Sequence, residues 1–494
     1  MANDKISQLT AATSPVASTD VLPVVQSGVT KKAAVNQLGF LQSGTGAASR
    51  TIESKLRDTV SVKDFGAVGD GVADDTTAFA SALATGKSVF IPDGTYLITS
   101  SLTVSTGGQA IFGEGWQKSK VRRGNDSTFI IFNVTAPWGV EFLNFKIEEP
   151  SLSYANTGSF IQLSVGGGTD ILIQGMWLWY GWQHVRCMQG TSNITFSNTV
   201  FEAARKGAIY SYSSVRNKVV GCTFWKNSAD ISNPADRGYA ISLAKDGGYS
   251  FGSDNWNLVG NYFAENVYGP FLLANTSEGV QITGNFFEIA SQVDNGQKSD
   301  IELTSCTRWS IVGNTSDSIV NSYLPGGRGS KYVVDLSGGS NTEIAIIGNG
   351  FEAGVSGTIN DPSRVADTAG AYSIAWGMPV QINGSGTGIT MSSQLGSATR
   401  VGKTVTISAQ TVMTNKGAGS GAVRLGPLPY TPSSTGVSYG SGLMTNTSGI
   451  TTPIYFQLNA DGYAYPLHSV NTNVLNTNIA NNTEIYFSGT YQIA

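Results

Sequence analysis

A short run of β-branched residues, usually followed by Gly-Asn and often by an aromatic residue, recurs between about residues 140 and 352. Where no loop intervenes the spacing is regular, since 24 residues separate Asn198 from Cys222 and also Asn261 from Asn285. A unit of this length cannot bury its apolar face alone, so the pattern predicts stacked coils, that is, a β-solenoid. The copies are ILIQGMW (171–177), ITFSNTVF (194–201), KVVGCTF (218–224), LVGNYF (258–263), QITGNFF (281–287), SIVGNTS (310–316) and AIIGNGF (345–351).

A helix and two strands are predicted over residues 60–98, before the repeats begin. Asp74 or Asp75 is suited to N-cap the helix, and Gly86 is suited to end it. The runs SVFIP and TYLI flank a Pro-Asp-Gly turn at 92–94, which predicts a hairpin. Because a solenoid has apolar coils at its ends, we expect this helix and hairpin to cap the N-terminal end.

The two ends of the chain lack the repeat. Near the start, VLPVVQSGVTKKAA (21–34) predicts a small hairpin followed by a short helix. After about residue 370, alternating runs such as KTVTISAQTV (403–412) predict an antiparallel β-sandwich. Four regions are therefore expected: an N-terminal anchoring segment (1–50), the capping helix and first strands (51–115), the solenoid (116–365) and the C-terminal sandwich (371–494).

Composition and charge narrow the choice of partners. Only 13% of the 494 residues are charged, Gly is frequent at 60, and the net charge is −4. A weakly acidic chain disfavours nucleic acid and anionic membranes as partners. No stretch of about 18 apolar residues predicts a membrane span, and the start lacks the basic-then-apolar pattern of a signal peptide.

Cysteine and histidine offer little catalytic chemistry. The three cysteines, Cys187, Cys222 and Cys306, lie on apolar runs and are predicted to be buried free thiols. The two histidines, His184 and His468, are far apart in sequence and are predicted to be structural. We expect no metal site and no cofactor.

The string VKDFGAVGDGVADDTTAF (62–79), followed by VFIPDGTYLI (89–98), resembles the opening of the pectate-lyase-like parallel β-helix superfamily. With TDVLPVVQSGVTKKA (19–33) before it, the chain is similar to phage tailspike and capsule-depolymerase proteins. The resemblance implies an all-β, right-handed parallel β-helix over roughly 1–355. It also implies that the acidic residues of the string are turn and capping residues. It does not specify the reaction, because the superfamily includes hydrolases, lyases and non-catalytic binders.

The resemblance further implies a homotrimer in the virion tail, attached to a tail or baseplate protein through residues 1–50. Such a protein is made in the bacterial cytoplasm and acts at the outer surface of the host cell. Its partner there is bacterial surface polysaccharide, in the form of capsule or O-antigen. The leading hypothesis is a tailspike that binds and cleaves this polysaccharide by glycosidic hydrolysis. A non-catalytic trimeric adhesin is the alternative, and a polysaccharide lyase is a further one.

Candidate catalytic residues come from aligning the strands AIYSY (208–212), AISLA (240–244), PFLLA (270–274), DIELT (300–304) and VVDLS (333–337). Side chains alternate along a strand, so the residue after each inward side chain points outward. The residues predicted to point inward are Ile209, Ile241, Phe271, Ile301 and Val334. Those predicted to point outward are Tyr210, Ser242, Leu272, Glu302 and Asp335. Asp300 is also expected outside. With coils about 4.8 Å apart, Glu302 and Asp335 would lie ~5 Å apart. Retaining glycosidases use that separation, and the longer distance from Asp300 to Asp335 would suit inverting ones. The alternative is that these three carboxylates are solvated strand residues.

Substrate-binding candidates surround this pair. Loops that leave the solenoid before these strands contribute Asp236, Arg237 and Arg328. Flat rings with polar edges suit the apolar faces of sugars, which favours Trp179, Trp182, Tyr210 and Tyr239. Core packing and a subunit interface are the alternatives for these rings. A second row of carboxylates, Glu202, Glu265, Glu288 and Glu352, follows the aromatic turn and is predicted to be solvated.

Overall fold

The structure is a computed structural model that forms two compact units, Met1–Glu202 and Ala203–Ala494. Both units contain parallel sheets wound as coils, and the second unit also contains an antiparallel sheet. The fold is therefore a right-handed parallel β-helix with a C-terminal antiparallel part. Within the described ranges, no helix combines the length and apolarity needed to cross a membrane. The structure describes residues 20–124, 129–150, 158–164, 168–227, 238–245, 251–288, 290, 298–317, 330–351, 359–361, 366–367, 373–375, 379–383, 386–401, 404–434, 438–450, 454–469 and 472–493.

In the N-terminal unit, each complete coil adds one strand to sheet A, one to sheet B and one to sheet C, while the first and last coils contribute to sheets A and B alone. Sheet A consists of β5 (Thr59–Ser61), β7 (Ser88–Ile91), β10 (Ala110–Gly113), β13 (Glu141–Leu143), β16 (Leu172–Gln174) and β19 (Thr195–Ser197). Sheet B consists of β6 (Asp70–Asp74), β8 (Gly94–Ile98), β11 (Ser119–Arg123), β14 (Lys146–Glu148), β17 (Trp177–Trp179) and β20 (Val200–Glu202). Sheet C consists of β9 (Leu102–Val104), β12 (Phe132–Val134), β15 (Ser159–Leu163) and β18 (Gln183–Cys187).

Apolar side chains in register from coil to coil form the core of this unit. Strand β10 pairs in parallel with β7 and with β13, which aligns Ile111 with Val89 and with Phe142. All three side chains are fully buried. Because side chains alternate along a strand, the residues beside them face away from the core.

The N-terminal segment contains the predicted hairpin. Strands β1 and β2 pair antiparallel, with Gln26 opposite Val29 at the turn. The expected short helix is a single 3-10 turn, Val35–Gln37. The segment consists of β1 (Val21–Gln26), β2 (Val29–Ala34), β3 (Gly39–Leu41), β4 (Ser49–Thr51) and helix α1 (Ile52–Leu56).

The predicted capping helix is present as α2 (Thr76–Ala84). Asp75 occupies the N-cap position, and its carboxylate accepts hydrogen bonds from the Val68 and Gly69 N–H groups of the preceding turn. Gly86, two residues past the helix, has a φ of +69°, the left-handed geometry that ends helices. The helix buries Phe79 against Tyr96 of β8, and so packs on the first coils as expected.

The hairpin predicted after this helix is wrong. Strand β7 belongs to sheet A and pairs with β5 and β10, whereas β8 belongs to sheet B and pairs with β6 and β11. The turn between them is a corner of the coil. Its Pro-Asp-Gly signal specifies a tight change of direction, which hairpins and solenoid corners share.

In the C-terminal unit, the coils likewise add strands to sheets D, E and F. Sheet D consists of β22 (Lys218–Val220), β25 (Asn257–Val259), β28 (Gln281–Thr283), β31 (Thr307–Val312), β34 (Thr342–Ile347) and β37 (Ala366–Asp367). Sheet E consists of β23 (Thr223–Trp225), β26 (Tyr262–Ala264), β29 (Phe286–Glu288), β32 (Thr315–Asp317) and β35 (Gly350–Phe351). Sheet F consists of β21 (Gly207–Tyr212), β24 (Tyr239–Ala244), β27 (Leu272–Asn275), β30 (Ile301–Thr304), β33 (Val334–Gly338) and β36 (Ile359–Asn360).

The Gly-Asn repeat forms a buried ladder at the corner between sheets D and E. The side-chain oxygens of Asn261, Asn285, Asn314 and Asn349 each accept the N–H of the equivalent residue one coil earlier, at 2.8–2.9 Å. The first donor to this ladder is the Cys222 N–H, which bonds to Asn261 Oδ1. Side-chain amides of successive Asn residues also bond to one another.

The ladder Asn residues do not themselves have left-handed backbone geometry. In this ladder Gly has it: Gly260, Gly284 and Gly313 have φ values of +62°, +63° and +65°. Each Gly reverses the chain at the corner, and the next residue then turns its side chain inward. Gly adopts this geometry without steric cost, which explains why it precedes Asn in the repeat.

The C-terminal antiparallel part is one curled sheet, sheet G, around its own apolar core. Its longest pairing joins β40 and β41, with Val401 opposite Thr404 at the turn. The strand order along the sheet is β38, β40, β41, β47, β43, β44, β45, β42 and β39, with β46 beside β45. These strands are β38 (Ser373–Ala375), β39 (Val380–Ile382), β40 (Thr390–Val401), β41 (Thr404–Asn415), β42 (Val423–Leu425), β43 (Ser438–Met444), β44 (Ile454–Leu458), β45 (Ala464–Ser469), β46 (Thr472–Asn473) and β47 (Thr483–Gln492).

The three cysteines are buried free thiols, as predicted. Burial raises the pKa of Cys187 and of Cys306, which keeps both thiols protonated and unreactive.

Candidate functional site

The outer face of sheet F carries a column of in-register side chains. Parallel pairing aligns Tyr210 with Ser242, Leu273 with Glu302, and Glu302 with Asp335. Ile301 and Val334, the neighbours of the two carboxylate residues, are fully buried and also aligned. The predicted adjacency of Glu302 and Asp335 on successive coils is therefore confirmed.

Glu302 is held by the chain that leads into its own strand. Its Oε1 accepts the Ser299 N–H at 3.0 Å, and its Oε2 lies 3.6 Å from Lys298 Nζ. The side chain is 20% exposed. Glu302 therefore has a fixed position and a cationic neighbour, while part of the carboxylate still meets solvent.

Asp335 is held through one oxygen. Its Oδ1 accepts the Ser337 N–H at 2.9 Å and an Nδ2 proton of Asn360 at 3.0 Å. Asn360 is the register partner of Asp335 on the next coil. Over the part of the chain that the structure describes, Oδ2 accepts no hydrogen bond. That oxygen is therefore available to carry or transfer a proton.

The expected outward position of Asp300 is wrong. The residue is fully buried, and its carboxylate accepts hydrogen bonds from the Ser330 hydroxyl and from the Ala290 N–H, the latter at 3.3 Å. Asp300 precedes β30, so the alternation of the strand does not extend to it. Asp300 thus joins the two loop ends that contain Ala290 and Ser330, which is a structural role. Because its carboxylate does not reach solvent, the structure does not support a catalytic role for it.

The alignment of PFLLA is also wrong by one residue. Leu272, predicted outside, is fully buried and aligns with Ile241, while Leu273 faces out. The N–H groups of Phe271 and Leu272 both bond to the Asp300 carbonyl at 3.0 Å. This shared acceptor inserts one extra residue before β27, so both Phe271 and Leu272 turn inward.

Two tyrosines proposed as sugar contacts lie beside this column, with different exposure. Tyr210 is half-buried on the outer face, and its ring stacks on Tyr212 at 5.8 Å and on Tyr239 at 6.1 Å. Tyr239 is only 4% exposed. Its ring lies over Gly207, where a Cβ would approach the ring carbons to 2.3 Å. Tyr210 can therefore offer a ring face to a ligand, and Tyr239 supports it.

The two tryptophans proposed as sugar contacts belong to the N-terminal unit. Trp179 of β17 is half-buried, stacks on Tyr180 at 4.3 Å, and has Lys146 Nζ 3.8 Å from its ring. Trp182 is buried, with 9% exposure, and so does not offer a surface to a ligand. Packing in the core thus explains the presence of Trp182, while the sugar-binding role of Trp179 stays a prediction.

The remaining predicted residues, Asp236, Arg237, Arg328 and Glu352, lie outside the described residues. Sequence reasoning missed Lys298 and Asn360, which position the two carboxylates. Asn360 could have been found only from the strand register, because it aligns with Asp335 on the next coil. Lys298 could have been found only from its spacing, four residues before Glu302. Among the described residues, no three His, Cys, Asp or Glu side chains form a cluster able to hold a metal ion.

The chain shows similarity to known β-helical proteins. Residues 59–135 match the family model described as rhamnogalacturonase A/epimerase, pectate lyase-like. The match includes the DFGA…GDG string, so the resemblance predicted from that string is confirmed over this segment.

Curated relatives match over short segments. The chain is 44% identical over 61 residues to the tail spike protein of an Escherichia phage, which is 12% of this chain and 8% of that protein. It is 49% identical over 45 residues to the pre-neck appendage protein of a Bacillus phage, which is 9% of this chain and 5% of that protein. The chain thus spans less than a tenth of the length of these relatives.

A solved structure extends the similarity of fold to most of the chain. ORF18 of Geobacillus virus E2 superposes with a TM-score of 0.50 at 14% identity, and the match covers 92% of this chain and 82% of that chain. At this level of identity the similarity concerns the fold alone.

Proposed function

We propose that the chain is a phage tailspike that binds bacterial surface polysaccharide and cleaves its glycosidic bonds. The observation that carries this proposal is the pairing of Glu302 with Asp335 on successive coils of sheet F. The coil spacing of about 4.8 Å is close to the ~5–5.5 Å between the carboxyl groups of retaining glycosidases. The short match to a phage tail spike protein supports the same class.

The surroundings of the pair suggest a division of roles. Asp335, whose Oδ2 is available within the described chain, would donate a proton to the leaving glycosidic oxygen. Glu302, fixed by Lys298 and Ser299, would attack the anomeric carbon and form a glycosyl–enzyme bond. Asp335 would then take a proton from the water that hydrolyses this bond, which returns both carboxyl groups to their starting states.

The wider assignments belong to the same proposal. The protein would be a homotrimer in the virion tail, joined to a tail or baseplate protein through residues 1–50. Its ligand would be the capsule or O-antigen at the outer surface of the host. The exposed hairpin β1–β2 supports an attachment role, because Val25 is 73% and Val29 58% exposed.

The direct test is the chain length of the polysaccharide. Incubation of the purified protein with capsule or O-antigen, followed by size-exclusion chromatography, is expected to show shorter chains. The variants Glu302→Gln and Asp335→Asn should each lower the cleavage rate at least ~10²-fold, the usual scale for a lost acid, base or nucleophile. Glu343→Gln, an exposed carboxylate of β34, is the matched control and should leave the rate unchanged.

Three outcomes would contradict this assignment in whole or in part. Undiminished cleavage by both variants would rule out the pair as the reaction centre. Binding without cleavage by the unmodified chain, at varied pH and with divalent metals added, would instead support the adhesin alternative. Unsaturated sugar ends among the products, detected by their ultraviolet absorbance, would identify elimination and hence a lyase.

A further inference from the structure

The outer face of sheet E has aromatic side chains that the core does not use. Tyr262 of β26 and Phe286 of β29 are register partners, and their rings stack at 5.5 Å with a 17° angle between planes. Tyr262 is 40% exposed, and Phe286 is half-buried. The inner face of the same sheet has its own stack, in which Phe263 lies between Phe224 and Phe287. The exposed stack is thus additional to a complete core.

A pair of carboxylates lies next to these rings on the same face. Glu288 of β29 is aligned with Asp317 of β32, so the two residues are neighbours on successive coils. Glu288 follows Phe286 by two positions, which places both side chains on one face of the strand. The Tyr262 hydroxyl donates a hydrogen bond to Glu288 Oε2. We call Tyr262, Phe286, Glu288 and Asp317 the sheet E strip.

The groups around the strip leave it acidic and apolar. Glu265 follows β26, and its Oε2 lies 3.7 Å from Lys226 Nζ. Trp225 is 37% exposed on β23, with Lys226 Nζ 4.5 Å from its ring. Partial burial and the adjacent Glu288 raise the pKa of Tyr262 to about 12, so its hydroxyl stays a proton donor at neutral pH. The face combines ring surfaces with hydrogen-bond acceptors and repels anions.

Sugars without acidic groups match these properties. Their C–H faces pack on aromatic rings, and their hydroxyl groups donate hydrogen bonds to carboxylates. The rings of Tyr262 and Phe286 are 5.5 Å apart, which is similar to the length of one pyranose ring, so a glycan lying along the coils can contact both. A glycan rich in uronic acids would meet Glu265, Glu288 and Asp317 with like charge, which costs binding free energy.

We propose that the sheet E strip is a second polysaccharide-binding site, specific for segments without acidic groups and separate from Glu302 and Asp335. The proposal rests on the proposed function, since it assumes that the chain binds surface polysaccharide. Its role is to hold the polymer while the carboxylate pair on sheet F acts on another part of it.

Binding to an array of purified bacterial capsule and O-antigen polysaccharides tests this site. All proteins would carry Glu302→Gln, so that cleavage does not remove the ligand. Tyr262→Ala and Phe286→Ala are each expected to weaken binding to array polymers without acidic groups about tenfold, the upper range for one aromatic contact. Glu288→Gln together with Asp317→Asn is expected to increase binding to uronic-acid-containing polymers. Tyr439→Ala, which removes a tyrosine that is 55% exposed on sheet G, is the control and should bind like the parent.

Circular dichroism and the melting temperature would verify that each variant folds, and Tyr262→Phe provides a milder variant that keeps the ring. Binding by folded Tyr262→Ala and Phe286→Ala equal to that of the parent would overturn the proposal. A fall in particle mass in these variants would also overturn it, because the strip would then be a contact between copies of the chain. An array on which the parent binds nothing would overturn the proposed function itself, which separates the two failures.

Discussion

At the scale of single residues, His184 shows how burial fixes a protonation state. It is fully buried, its Nε2 donates to the Tyr180 carbonyl at 2.6 Å, and its ring lies 5.3 Å from Phe160 and 6.0 Å from Phe201. Burial lowers the pKa of His184 to about 3, against the hydrogen bond to Tyr180, which acts in the opposite direction. The structural role predicted for this histidine thus has a physical basis.

A pH dependence of stability follows from His184. Its folded pKa lies below the unfolded value of about 6.5, so the unfolded chain binds the extra proton between pH 6.5 and 3. The free energy of unfolding is therefore expected to fall by about 1.4 kcal/mol per pH unit as the pH drops through that range. Urea unfolding of the wild-type chain and of His184→Gln, measured from pH 7 to 4, checks this.

The variant should show a flatter dependence on pH than the wild type. His468→Gln is the matched control, since it removes the other histidine of the chain and should keep the wild-type slope. Parallel curves for wild type and His184→Gln would show that His184 does not control acid stability.

Asn285 is the residue on which several ladder bonds depend. Its side chain accepts from the Asn261 N–H and Nδ2 and donates to Asn314 Oδ1 and to the Leu258 carbonyl. In Asn285→Leu these buried partners lose their bonds, at a cost of about 1–3 kcal/mol each, partly offset by apolar burial. We expect a loss of about 3–5 kcal/mol in the free energy of unfolding.

Guanidinium unfolding would measure this loss. Asn473→Leu, at an exposed position on β46, is the control and should change stability little. A midpoint for Asn285→Leu that equals the wild-type midpoint would mean that the ladder does not stabilise the coils.

At the scale of elements, the sequence predicts the orientation of side chains within the repeated strands, and the prediction fails where the repeat is interrupted. The Gly-Asn repeat predicted stacked coils, and alternation placed Ile301 and Val334 inside and Glu302 and Asp335 outside. Both failures in this region lie at the start of a strand: Asp300 directly precedes β30, and Leu272 is the first residue of β27. The Asp300 carbonyl accepts the N–H groups of both Phe271 and Leu272, and the Asp300 carboxylate accepts from Ser330 and Ala290. Such hydrogen bonds leave no trace in the pattern of apolar and polar residues.

The candidate site illustrates the same limit. The pair Glu302–Asp335 was predictable because both residues lie within regular strands of the repeat. Asn360 and Lys298 were not, because their roles depend on register and on a loop end. Of the sheet E strip, the sequence analysis singled out only Glu288, which it interpreted as a solvated residue after the aromatic turn. Only the alignment of Glu288 with Asp317 and of Tyr262 with Phe286 makes it a connected surface.

At the scale of the whole molecule, sheet G offers a surface for self-association. Its outer face exposes Leu395 by 64% and Leu443 by 45%, beside Tyr486. These residues border an open depression of about 820 Å³ whose lining contains serine, glycine and glutamine and no charged side chain. Exposed leucine side chains around a depression whose described lining carries no charge are typical of contacts between copies of one chain.

The proposed homotrimer leads to a prediction about this face. Leu395→Glu combined with Leu443→Glu places like charges on a surface that a trimer would bury, so the particle should dissociate from the mass of three chains toward that of one. Sedimentation velocity measures this directly. Val72→Glu is the control, since Val72 is 80% exposed in the N-terminal unit and outside sheet G. A double variant that keeps the mass of three chains would exclude this face as the contact, and a wild-type chain with the mass of one would refute the trimer.

Because a trimer would bring three carboxylate pairs to one polymer, the monomeric variant should also bind polysaccharide more weakly per particle while it cleaves short oligosaccharides at the wild-type rate.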